Sequence, residues 1–117
     1  MPITVTSNNG NITIDNNVIA TIAGISAMES YGIVGMASKS ATDGIFELLK
    51  FENLTKGIYV DTEHERVNIQ LHVIIEFGIR ISTVGQNVMD RVRFNVESLT
   101  GLEVDNVEVL VEGIRMD

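Results

Sequence analysis

Two histidines, His64 and His72, are the first residues to weigh, because imidazole can ligate a metal or move a proton near neutral pH. Glu63 and Glu65 flank His64, which puts acid and base side by side. The segment between the histidines reads as a turn feeding a strand. At about 3.3 Å per residue it would hold them more than roughly 20 Å apart if straight. They cannot share one metal within a monomer. His64 therefore reads as a solvated turn residue, and His72, placed with Gln70 and Glu76, as a solvent-facing strand residue. The carboxylate pairs Glu63/Glu65 and Glu108/Glu112 have the residue types of a glycosidase site. Their spacing on strands reads instead as wet faces and protection of a sheet edge.

Other reactive types are equally scattered. Ser26 and Ser30 are the serines near glycines, and both fall within a helical pattern rather than on a nucleophile elbow. Tyr31 and Tyr59 read as amphipathic packing residues. The stretch YGIVGMASK, residues 31 to 39, holds Gly32 and Gly35 in an apolar setting. A dinucleotide fingerprint needs a third glycine and a strand-to-helix order, whereas these glycines follow a helix. Gly32-Ile33-Val34-Gly35 has the letters of a nucleic-acid-clamping GXXG loop, but its middle residues are apolar and the chain is acidic. The structural alternative is a left-handed glycine closing a helix at Gly32 and a bulge or close backbone approach at Gly35. Arg80, Arg91 and Arg93 cluster in sequence near one helix. They read as solvated arginines, with an anion site as the functional alternative. No catalytic, cofactor-binding or metal-ligating residue is assigned.

The elements that would position these groups follow from periodicity. Asn11 to Ile14 alternates as a short strand, and Asp15 or Asn16 can cap a helix running to about Ser30. Val18, Ile19, Ile22, Ala23, Ile25 and Ser26 give that helix its apolar stripe. Ile33 to Ala37 reads as a strand. Residues 39–57 read as an insertion, with a short helix suggested by Ile45, Phe46, Leu48 and Leu49. Ile58 to Thr62 opens a hairpin. Its return strand places Val67, Ile69, Leu71, Val73, Ile75 and Phe77 on one face, and Asn68, Gln70, His72, Ile74 and Glu76 on the other. A second helix spans about Ser82 to Leu99, capped by Ser82 or Thr83. Val84, Val88, Val92 and Val96 form its ridge, joined by Ile81, Met89 and Leu99, and Gly101 stops it. The last strand, about Val104 to Glu112, sets Val107, Val109 and Val111 against Glu108, Leu110 and Glu112. The expected fold is α+β, a β-α-β-β-β-α-β two-layer sandwich with two main helices on one face of a mixed or antiparallel sheet. Residues 1–117 form one domain, with 1–9 a flexible N-terminus.

Composition narrows the function classes. Apolar residues at 44% with one proline suit a globular chain with a single core. A net charge of −8 repels phosphate backbones and anionic headgroups, so nucleic acid is not an expected partner. No apolar run approaches the roughly 20 residues needed to cross a bilayer, so direct membrane insertion is not expected. The absence of cysteine rules out disulfides and thiolate chemistry and suits a reducing cytoplasm. The start, MPITVTSNNG, lacks the basic and apolar segments of an export signal.

Three stretches carry a resemblance: I-A-G-I-S-A-x-x-x-x-G-I-V-G-M at Ile22 to Met36, E-F-G-x-x-I-S-x-V at Glu76 to Val84, and T-G-L-E-V at Thr100 to Val104. Through them the chain resembles, over residues 10 to 115, the alkaline shock protein family of bacterial envelope stress response proteins, in its short single-domain branch. The resemblance implies a non-enzymatic cytoplasmic protein-interaction module linked to envelope stress or homeostasis. It implies protein partners, among them a membrane-anchoring protein that would hold the chain at the membrane periphery. A homo-oligomer is also expected, from open strand edges and the valine-rich last strand. The alternative is an accessory domain binding a small acidic metabolite through Arg80, Arg91 and Arg93.

Overall fold

The computed structural model describes residues 3–37, 57–63 and 66–116. Its elements run β1 (Ile3–Ser7), β2 (Gly10–Ile14), α1 (Asn16–Met28), β3 (Ile33–Met36), β4 (Ile58–Glu63), β5 (Arg66–Glu76), α2 (Ile81–Thr100) and β6 (Glu103–Arg115). This is the expected α+β class, preceded by one further strand. Residues 3–7, which the sequence places in a flexible terminus, form β1, which pairs antiparallel with β2 in a separate two-stranded sheet. Val5 and Thr4 alternate opposite Ile12 and Thr13, so the hairpin has its own cross-strand ladder.

The main sheet is built around β5. Val67, Ile69, Leu71, Val73 and Ile75 alternate along it and are all buried, as β-branched and leucine side chains at period two require of a strand with one face on a core. One edge of β5 carries β3 and β4 in succession, both antiparallel to it: β3 is opposite Ile75 to Val73, and β4 opposite Leu71 to Arg66. The other edge pairs with β6 in parallel, from Arg66↔Glu103 to Glu76↔Arg115. The sheet is therefore mixed, and α2 is the crossover that a parallel β5–β6 pair needs.

Both helices pack against the sheet and each other. In α2 the ridge of Val84, Val88, Val92 and Val96 is buried throughout. Ile81 and Leu99, placed on the same ridge by the sequence, are exposed, because they lie at the helix ends beyond the sheet margin. The helix begins at Ile81 with Arg80 as N-cap and no side-chain cap bond, so Ser82 and Thr83 sit inside the first turn rather than capping it. Gly101 closes it in the left-handed conformation, φ 75°, as expected. In α1 the Asp15 carboxylate accepts from the Asn17 backbone N–H, the predicted cap. Its buried face consists of Ile19, Ala20, Ala23, Gly24, Ser26 and Ala27, while Val18 and Ile25 face outward. Small residues set the face here because they let the helix backbone approach its neighbours closely.

The GIVG stretch serves architecture. Gly32 has φ 93°, and a Cβ there would stand 2.8 Å from Val84 Cγ2 of α2. Glycine is thus needed for backbone and for space. Gly35 lies at a register shift in β3, the expected bulge. Phe77, assigned to the core face by alternation, is exposed, since β5 ends at Glu76 and Gly78, φ 94°, turns the chain toward α2. The insertion's predicted helix, along with His64 and Glu65, lies outside the described residues.

Candidate functional site

The face of β5 turned away from the helices holds the polar residues that the alternation sets there: Asn68, Gln70 and His72. The parallel register of β6 brings Asn106 beside Asn68, Glu108 beside Gln70 and Leu110 beside His72. A second register shift, between Val73 and Ile74, leaves Glu112 as an extra residue in β6 and swings its carboxylate back toward the imidazole. His72 Nδ1 lies 2.5 Å from Glu112 Oε1, and Nε2 lies 3.2 Å from Gln70 Oε1. Gln70 Nε2 in turn donates to Glu108 Oε1 at 3.0 Å. Glu108, Gln70, His72 and Glu112 are thus one hydrogen-bonded row across β5 and β6. With Gln70 donating to Glu108, its Oε1 is turned to His72 Nε2, and Glu112 Oε1 stands at Nδ1, so each ring nitrogen has a partner.

His72 is 1% exposed, so the solvent-facing strand position expected for it is corrected. Tyr59, on β4 opposite Gln70, stands edge-on to the imidazole at 5.4 Å between ring centroids. Ile74, grouped by alternation with the wet side chains, is also buried. The outer face is therefore dry at its middle. Glu112, expected on a wet edge, is the partner of a buried ring. One end of the row remains open: Gln70 and Glu108, with Tyr59, Asp61, Asn68 and Asn106, line a shallow groove of about 280 Å3. The row ties strand to strand and leaves neither ring nitrogen free to ligate or to attack. Among the described residues, no three His, Asp or Glu side chains converge on a possible metal position.

On the opposite side of the molecule the helices form a second groove, of about 550 Å3, between the end of α1 and the outer face of α2. Tyr31 and Phe94 stand at it, 78% and 69% exposed. Tyr31, expected to pack, is instead among the most exposed aromatic side chains described. Arg91 reaches across the groove to Glu29 at 3.9 Å, and Asn95 donates to Ser26 Oγ at 2.8 Å, tying α2 to α1. Ser26 donates to the Ile22 carbonyl and Ser30 to that of Ser26, so both serines are spent within the helix layer.

The arginines that cluster in sequence are not gathered in space. Arg80 caps α2 at its start, and eleven residues at 1.5 Å per residue place Arg91 about 16 Å along the axis. Arg91 and Arg93 are about 200° apart around the helix, and Arg93 donates to the Val104 carbonyl of β6 at 2.7 Å. No common anion site forms from these three. Glu63 belongs to β4, and the remaining acid beside His64 lies outside the described residues. What sequence reading misses is the His72–Glu112 pair. Its one signal is an apolar neighbour, Ile74, on a face that otherwise reads as wet.

Among the described residues, no helix is long and apolar enough to cross a membrane. No solved structure matches this chain. The chain is 44% identical over 108 residues to the uncharacterized protein YloU of Bacillus subtilis, covering 92% of this chain and 90% of that one. It is 39% identical over 117 residues to the uncharacterized protein Spy1614 of Streptococcus pyogenes, covering 99% and 97%. A stress response regulator gls24 homolog of S. pyogenes is 24% identical over 106 residues, which span 91% of this chain and 59% of that protein. The model of the alkaline shock protein family, described as having a cell envelope-related function, matches residues 4–116, and with nearly the whole domain inside that match the chain belongs to this family.

Proposed function

We propose that this chain is a non-enzymatic interaction module of the cytoplasm, acting in envelope stress or homeostasis by docking a protein partner that holds it at the membrane periphery. The observation that carries the reading is the groove at Tyr31 and Phe94. Two large aromatic side chains stand exposed beside Arg91, residue types that protein interfaces favour over ordinary surface. The side chains with chemical potential are meanwhile engaged in structure: His72 by Glu112 and Gln70, Ser26 by Ile22 and Asn95. The envelope association of the family supplies the setting.

The test is comparative capture from the native cell with the membrane fraction retained, using the unaltered chain and a Tyr31→Ala/Phe94→Ala variant. Both positions are exposed, so the variant should melt close to the unaltered chain. The expected result is a specific companion enriched by the first and depleted at least tenfold by the second. Equal recovery with both chains would remove the groove from the reading. If instead a millimolar panel of phosphates and acyl carboxylates raised the melting temperature, the acidic-metabolite alternative would take its place.

A further inference from the structure

The edge of β6 that faces away from β5 meets no other strand among the described residues. At its start, α2 side chains occupy the backbone: Glu97 accepts from the Val104 N–H at 3.0 Å, and Arg93 donates to the Val104 carbonyl. The stretch left for pairing runs from Asn106 to Glu112, with the sequence Asn-Val-Glu-Val-Leu-Val-Glu. Its midpoint is Val109, and the pattern around that residue is close to symmetric. Val107, Val109 and Val111 turn toward the core side, and Glu108 and Leu110 toward the outer side.

We infer that the partner of this edge is a second copy of the same chain, its β6 running antiparallel to the first about a two-fold axis at Val109. Directly opposed residues of antiparallel strands share a face, so the register must set core-side positions against core-side positions. An axis at Val109 does so: Val109 meets its own copy and Val107 meets Val111. It also sets Glu108 against Leu110 and Asn106 against Glu112. An axis at Glu108 would oppose that carboxylate to itself, and an axis at Leu110 would oppose Glu108 to Glu112; both are penalised. An axis between residues would put the valine row against the outer row.

Two further observations suit this occupant. Val109 and Val111 are only partly covered, unlike Val104 and Val107, so the valine row loses its cover toward the middle of the edge. Two acids of the stretch are held by side chains of β5, Glu108 by Gln70 and Glu112 by His72, which fixes them along the sheet face instead of leaving them free to project from the edge. An isologous edge of this kind closes as a pair rather than growing a fibre.

The inference stands apart from the partner proposed above, because it uses the sheet edge and not the helix groove. The test is a mass measurement by light scattering together with cysteine pairing, which is unambiguous in a chain free of cysteine. The expected mass is twice 12.8 kDa. Under mild oxidation, Val109→Cys should link to itself, since opposed Cα atoms lie within disulfide reach of about 4.5–5.5 Å. Val107→Cys alone should not, being offset by four residues, or about 13 Å, from its copy. A mixture of Val107→Cys and Val111→Cys chains should link. A single-chain mass at high concentration overturns the inference. So does a doubled mass in which Val107→Cys links to itself or the mixed pair fails. If Val109→Cys does not fold, the mass and the mixed pair still decide. A single-chain mass would leave the groove reading standing, and loss of capture would leave the dimer standing.

Discussion

His72 shows how a buried ring can be held by one bulged residue. Its Nδ1 depends on Glu112, which reaches it only because β6 carries an extra residue at that point, and its Nε2 depends on Gln70. Removing Glu112 alone strands a polar nitrogen in a site 1% exposed, which costs about 1–3 kcal/mol, whereas removing both partners for apolar groups approaches neutrality. Glu112→Ala should therefore destabilise by about 2 kcal/mol. The double variant His72→Leu/Glu112→Ala should recover much of that loss, giving a coupling energy above about 0.5 kcal/mol in urea denaturation. Additive effects would show that the pair is not a unit. None of this is legible in the sequence, because the pairing joins residues 40 apart through a parallel register and a bulge. Local periodicity carries no term for either.

At the scale of elements the sequence is more informative. The valine ridge of α2 and the alternation of β5 are readable because each repeats over many residues, and each is buried along its length. The misreadings fall at ends and on faces. Leu99 continues the ridge in sequence, yet the helix outruns the sheet there and leaves it 72% exposed. Val18 and Ile25 look like core because they are large, whereas close helix packing selects Ala20, Ala23, Gly24 and Ala27. A matched pair of substitutions separates these cases. Val92→Ala removes two buried methyl groups and leaves a cavity, for a loss of roughly 2 kcal/mol and a fall in melting temperature of about 4 °C per kcal/mol. Leu99→Ala removes more atoms yet should stay within about 0.5 kcal/mol, since its side chain is mostly in water. Equal losses would mean that Leu99 is covered in solution, by a second copy or a partner.

For the whole molecule, the topology is legible as a class and as an order of elements, but not as a sheet, because no local pattern says which strands share an edge. The structure shows that β3 and β4 run the same way along one edge of β5 with adjoining partners. Met36 is opposite Val73, Ala37 donates its N–H to the His72 carbonyl, and Ile58 is opposite Leu71. The inward and outward alternation also continues across the join, with Met36 and Ile58 on the core side and Ala37 between them. By sequence, residues 39–57 are an insertion between two strands; in the sheet they interrupt what is otherwise one strand. Gly57 marks how tightly the chain returns, since a Cβ there would stand 2.7 Å from the Ala37 carbonyl oxygen. Excision of residues 38–57, joining Ala37 directly to Ile58, should therefore preserve the register and yield a chain that folds cooperatively. Closing a loop of that length costs on the order of 2 kcal/mol in chain entropy, so the excision recovers that much to offset whatever stability the segment itself provides. Hydrogen exchange should show the β5 amides still protected on both edges, and urea denaturation should remain a single transition. A chain that melts without cooperativity, or whose β5 amides exchange freely opposite the new junction, would show that residues 38–57 are needed to hold the two strands in line.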